Sequence, residues 1–360
     1  MRSGLLYLGT EHGIYASWND GADWQPLSLN LPDTQVADVA VERNDLVIAT
    51  HGRSFYLLNN IAVLRQLSKA MVSRGAHLFK PANVIRSLDQ ATISYYLSES
   101  MPDLTIEIQN SKGEVIRRFP PRADADHPAG QSAASGSSPS ALNSAAGIHR
   151  VIWDLRYPGP VIFPGIVLRY AEPGQGPVAP PGEYSVRLTA HGEPQVQGFL
   201  VERNPRLAGV TDSDLREQFL LAIAIRDQIS RAHLMVIAIR SVKEQMAKRV
   251  AAANDPEITR LARDIRSKLD EMEQDIYQVR NRSPRDTLNF PIKLNNQLAV
   301  LQRLVDTGDA RPTDQDYAVF SGLSARVAAI QVRMNEVTSG DLPRLNRRLT
   351  ALGLEAVSAK

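Results

Sequence analysis

The chain has 360 residues, 43% of them hydrophobic, enough to bury more than one core. Its 41 basic and 39 acidic residues leave a formal net charge of +2, which gives no electrostatic case for a nucleic-acid partner. With no cysteine, it forms neither disulfides nor zinc–thiolate sites.

Taken in chain order, residues 1–62 alternate apolar and polar positions between glycine and asparagine turns, the pattern of short strands. The segments are "LLYLGT", "GIYASW", "DWQPLS", "VADVAVE", "DLVIAT" and "SFYLLN". The opening "MRSGLLYLGTEHG" has one arginine followed by strand-like residues, without a long apolar stretch or cleavage site. It reads as the inside of a domain rather than as a signal peptide. A linker over 63–76 leads to a second strand-rich zone, 77–204, with "ATISYYL", "LTIEIQN", "EVIRRF", "HRVIWDL", "GEYSVRLTA" and "QVQGFLVE". Within it, 120–147 is rich in Ser, Ala, Pro and Gly and is expected to be a disordered loop. "PGPVIFPGIVLRYAEPGQGPVAPPG" suits an ordered crossing loop, because its prolines break helices.

From 205 to 360 the texture is helical. Apolar residues recur at three- and four-residue spacing (Leu215, Phe219, Ile223, then Ile229, Val236, Ile239), and "TDSDLREQF" offers Thr211 or Ser213 as a cap. Further helices are expected near 255–282, 291–306, 314–339 and 341–351, making an antiparallel bundle. "LAIAIRDQISRAHLMVIAIR" is broken by Arg226, Asp227, Arg231 and Arg240, so no membrane span is expected.

One repeat is visible. "LYLGTEHGIY" (6–15) resembles "LVIATHGRSFY" (46–56), with Thr10 aligned to Thr50, and the period of about 40 residues is that of a propeller blade. Between the copies lies "SWNDGADW", Ser17 to Trp24. A helix–loop–helix calcium loop starting at Ser17 would need a ligand where Gly21 stands and a bidentate glutamate where Ser28 stands. Asp20 and Asp23 share one tight turn, whereas glycosidase carboxylates face each other across a substrate. The stretch fits a structural turn instead: Ser17, Asn19, Gly21 and Trp24 match the Asp-box pattern, with Asn in place of the usual Asp. Asn19 would hold the turn, Gly21 would take positive φ, and Trp24 would fold back as an apolar plug between neighbouring sheets.

Weaker ligand candidates are His12 and His51, at nearly equivalent places in the repeat, and Asp154 and Arg156. The histidines lack the third ligand a catalytic metal usually takes, and read first as turn residues. Asp154 and Arg156, two apart on an expected strand, would share a face and order the proline-rich segment beside them. Asn295 and Asn296 near a helix start would tie it to a neighbouring loop. No catalytic, cofactor-binding or metal residue is assigned, and no cofactor is expected; phosphate-loop, HExxH and GxSxG patterns do not occur.

Residues 1–60 resemble the closing blades of a BNR-repeat propeller of the sortilin-like, glycosyl-hydrolase-like group. The resemblance continues through "GIHRVIWDLRYPGP" and "PVAPPGEYSVRLT", similar to the Ig-like domain after that propeller, and through "LNFPIKLNNQLAVL" and "ARPTDQDYAVF", similar to its C-terminal helices. It implies a multidomain α and β fold: terminal blades of an incomplete β-propeller, an Ig-like β-sandwich and a helical bundle. It implies a non-catalytic structural or binding module of a secreted or periplasmic parent, mediating protein or glycan interaction. Missing propeller blades or self-association would cover its open faces. The alternative is a piece of a glycoside hydrolase or peptidase-associated propeller enzyme whose site lies in blades outside this chain.

Overall fold

The computed structural model describes residues 2–68, 71, 74–121 and 141–359. The part of the expected disordered loop between 122 and 140 lies outside the described residues. The protein combines several β-sheets, one of them curled into a half-barrel, with a C-terminal helical region of about five helices. It divides into two units. One holds the described residues before Leu155 together with Gly182–Glu202, and the other holds Leu155–Pro181 and Arg203–Lys360.

In the first unit, β1 (Leu6–Thr10), β2 (Gly13–Ser17) and β3 (Gln25–Pro26) form one antiparallel sheet, and β4 (Val36–Glu42), β5 (Asp45–Thr50) and β6 (Phe55–Leu58) form another. Each sheet runs in chain order. Their shared core includes Ile14, Ala16, Val36, Leu46, Ile48 and Ile61. The aligned threonines act alike: Thr10 donates to the Gly13 carbonyl (3.0 Å) and Thr50 to the Ser54 carbonyl (2.6 Å), each across a hairpin. The segment read as a linker contains a short helix, α1 (Ala62–Gln66).

Eight strands follow in this unit: β7 (Ala76–Leu78), β8 (Val84–Ile85), β9 (Ala91–Leu97), β10 (Thr105–Asn110), β11 (Val115–Phe119), β12 (Gly147–Trp153), β13 (Gly182–Ala190) and β14 (Glu193–Glu202). They make a three-stranded sheet, β12-β9-β7, and a five-stranded sheet, β11-β10-β13-β14-β8, with β8 parallel to β14. The two sheets meet through the buried Trp153 ring of β12. Its centroid lies 5.4 Å from Tyr184 on β13 and 6.2 Å from Phe199 on β14.

In the second unit, α2 (Asp212–Ala253) packs along α3 (Pro256–Ile276), α4 (Leu294–Val305) and α5 (Asp314–Glu336). Thr211 caps α2 in a reciprocal box with Asp214, and Thr313 does the same for α5 with Asp316. Asp255 caps α3, with Pro256 at its first position. The expected helix 255–282 stops earlier, at Ile276, because Tyr277 turns extended with φ −131°. The expected break near residue 340 is a wide π turn, Val337–Asp341, running straight into α6 (Leu342–Ala351). Pro343 has no N–H for the usual ladder, and the Leu342 N–H reaches back to the Val337 carbonyl.

Candidate functional site

The Ser17–Trp24 turn is built from its own side chains. Buried Ser17 accepts from the Gly21 N–H (2.9 Å) and donates to Asn19 Oδ1 (2.9 Å). Asn19 Oδ1 also accepts from the Asp23 N–H (3.0 Å), while Asn19 Nδ2 donates to the Asp23 carboxylate (2.9 Å). Gly21 has φ +88°, and the Trp24 ring lies 3.5 Å from where its Cβ would stand. The expectation for Trp24 needs correction. The ring does fold back over Gly21, but it remains 37% exposed and is not an interior plug. Trp18 takes the more enclosed place, packing on the core of these sheets and donating to the Leu64 carbonyl at 2.8 Å. Trp24→Ala is therefore expected to cost only about 1 kcal/mol, the value of a half-covered apolar side chain, read as a small shift in the urea midpoint.

His12 pairs with Asp33 (Nδ1 to Oδ1, 3.0 Å) on the surface, and the exposed His51 has its backbone N–H on the Gln35 carbonyl (2.9 Å). Among the described residues, no three His, Cys, Asp or Glu side chains gather as a metal site. Asp154 and Arg156 do not lie on one strand. β12 ends at Trp153, and Leu155 takes φ +57° and redirects the chain. Arg156 does serve the proline-rich segment, donating to the Gly176 carbonyl (2.7 Å) and pairing with Asp306 (3.2 Å).

The most elaborate constellation lies in the second unit, where helix side chains hold the strap Tyr157–Pro177 by its backbone. A strap this rich in proline and glycine makes few ladder bonds, so its carbonyls and amides need other partners. Asn296, buried on α4, answers both groups of Arg169: Oδ1 accepts from its N–H and Nδ2 donates to its carbonyl, each at 2.8 Å. Gln302 donates to the Gln175 carbonyl (2.9 Å). The Tyr277 hydroxyl donates to the Gly165 carbonyl (3.1 Å) and accepts from the Val167 N–H (3.2 Å). Ser230 accepts from the Val161 N–H (3.1 Å). At the base, the Tyr157 N–H meets the Pro177 carbonyl and the Ala179 N–H meets the Leu155 carbonyl. A Cβ at Gly159 would stand 1.7 Å from the Gly174 carbonyl oxygen, so only glycine fits this crossing.

His233 sits where strap and helices meet and is fully buried. Its Nδ1 bonds the Val161 carbonyl, which can only accept, so Nδ1 carries the proton. Nε2 then accepts from Asn295 Nδ2 at 3.2 Å. Burial lowers the His233 pKa to about 4, although the bond to Val161 favours the charged form. The Phe163 ring from the strap stands edge-on to His233 (5.1 Å) and Tyr277 (5.0 Å), with Arg240 over its face at 4.7 Å. Beside His233 and Gln302 is a cavity of about 20 Å³, room for one water, and Gln302 Oε1 is a buried acceptor without a protein partner. Of this cluster, the sequence points to Asn295 and Asn296 as a tie to a loop, and Asn296 holds the strap at Arg169. His233 is not among the residues expected from the sequence; its signal is its place four residues after Ile229 and three before Val236, on the buried stripe of α2.

Among the described residues no helix is long and apolar enough to cross a membrane. No protein-family profile matches the chain, and no curated protein matches it. Among solved structures, the chain is similar to one described as "Biofilm associated protein - BSP domain", at 9% identity and a TM-score of 0.19. The match covers 54% of this chain and 21% of that one, so this chain spans about a fifth of that structure's length. A likeness of that TM-score carries no argument about fold or function.

Proposed function

We propose that the chain is a non-catalytic interaction module, the C-terminal portion of a BNR-repeat propeller protein of secreted or periplasmic origin. In this reading its first two sheets are blade-like and dock on further β-structure, in the parent or in a second molecule. The strands β7 to β14 are then the Ig-like domain and α2 to α6 the family's helical region. The observation that carries the reading is a pair of apolar rows left in water. Leu6 and Leu8 on one face of β1 are 41% and 45% exposed, and Phe55 and Leu57 on one face of β6 are 75% and 57% exposed. Residues two apart on a strand share a face, and sheet faces of this kind associate when left open. The matching roles of Thr10 and Thr50 and the bonding inside the Ser17–Trp24 turn support two related blades. The acid Asp23 is engaged in holding that turn through Asn19, which favours structure over hydrolysis.

Light scattering over a concentration series tests the reading. The full chain is expected to show a mass that rises with concentration, and the double variant Phe55→Ser, Leu57→Ser to shift it toward monomer. A monodisperse monomer at every concentration would mean that these sheets form a self-sufficient β-domain, and the module reading would be withdrawn.

A further inference from the structure

We propose that a trough on the outer face of the five-stranded sheet binds a neutral oligosaccharide. This stands apart from the association surface above, because none of its lining residues belongs to the first two sheets. The inner face of these strands carries the buried Ile106, Ile108, Tyr184, Val186 and Phe199. The alternate positions face outward, and the register sets Gln109, Ser185 and Gly198 side by side, with Glu183 next to Leu200. Over Ser185, Gly198, Glu183 and Leu200 lies a cavity of about 750 Å³, within the roughly 300–1,000 Å³ typical of small-molecule sites. Gly198 keeps its floor low: the nearest atom to a Cβ built there is the Tyr184 carbonyl oxygen, 3.8 Å away.

Both walls are fixed before any ligand arrives. On one side, Asn110 ties the β10–β11 turn, accepting from the Lys112 and Glu114 N–H groups (3.0 Å each) and donating to the Glu114 carboxylate (2.7 Å). On the other, Asn83 accepts from the Leu200 N–H (3.1 Å) and donates to Glu202 (2.8 Å). Pre-formed walls lower the ordering cost of binding.

The chemistry of the lining selects the ligand. β13 is paired on both sides, so its backbone has no edge to offer an added peptide strand. Recognition falls to side chains: the Ser185 hydroxyl, 3.4 Å from Gln109 Oε1, the Glu183 carboxylate and the Lys80 ammonium. One negative and one positive group give no net field for phosphate or another polyanion. Sugar hydroxyls both donate and accept, and the C–H face of a sugar ring can lie on Gly198 and the exposed Leu200.

The test is titration calorimetry of the full chain with linear hexamers of β-1,4-linked glucose, of N-acetylglucosamine and of mannose. Saturable binding of at least one hexamer is expected. Gly198→Trp, which fills the trough floor where a Cβ is free to stand, should weaken it at least roughly tenfold with an unchanged urea midpoint. Ser185→Tyr, on the neighbouring strand, should do the same and serves if the first variant folds poorly. No saturable binding of any hexamer, or binding unchanged in a folded trough-filled variant, overturns the proposal.

Discussion

Trp153→Ala is expected to destabilise the first unit by about 3–5 kcal/mol, the cost of truncating a buried large aromatic. Trp153 has no exposed surface, and its ring bridges the three-stranded sheet to Tyr184 and Phe199 of the five-stranded one. Alanine would leave a void at the point where the sheets meet, and the facing β13 and β14, each paired on both sides, relax poorly into such a space. Urea denaturation followed by tyrosine fluorescence would show a large fall in midpoint. A loss of about 1 kcal/mol, like that expected for Trp24→Ala, would mean that the sheets can close around the gap and that this contact is not central to their packing.

The second large effect is acid sensitivity from His233. With a folded pKa of about 4 against the usual value of about 6.5, the unfolded chain takes up this proton first as pH falls. Above the unfolded value neither state is charged, and the group contributes no pH dependence. Between the two values the unfolded state binds more protons, so stability drops as pH drops. The loss reaches about 3 kcal/mol below the folded value. The wild type is therefore expected to lose about 3 kcal/mol more than His233→Gln between neutral pH and pH 4, measured by urea denaturation across the range. Parallel curves for the two proteins would show that the imidazole takes up its proton equally readily in the folded and unfolded states. The first contact to fail under acid is expected to be the one Nε2 accepts from Asn295 Nδ2, because protonation turns that nitrogen from an acceptor into a donor.

Legibility in the sequence followed interaction range. Strands such as Ala91–Leu97 and Gly182–Ala190, and helices such as Asp314–Glu336, announce themselves through period and caps, which are properties of adjacent residues. The short β7 and β8 leave no sequence signal, because they hold three and two residues near Pro81, too few for a period to show. The exposure of Trp24 is not legible in its motif, because burial of a turn residue depends on what stands next to it. The strap's partners were invisible for the same reason: Asn296 and Gln302 each lie 127 positions from the residues they hold. Asparagine in a helix signals that some backbone must be bonded, but not which.

The strap has a consequence for how this protein can diverge. Its path is set by amides, hydroxyls and an imidazole on the helices that grip peptide groups common to every residue type. Apart from Phe163 and the glycines at its crossing, the strap's own letters matter little for where it runs. Descendants of this chain should then accumulate changes at strap positions such as Val161, Val167 and Arg169 while Asn296, Gln302 and Tyr277 stay fixed. The instructions for one segment would be inherited in another.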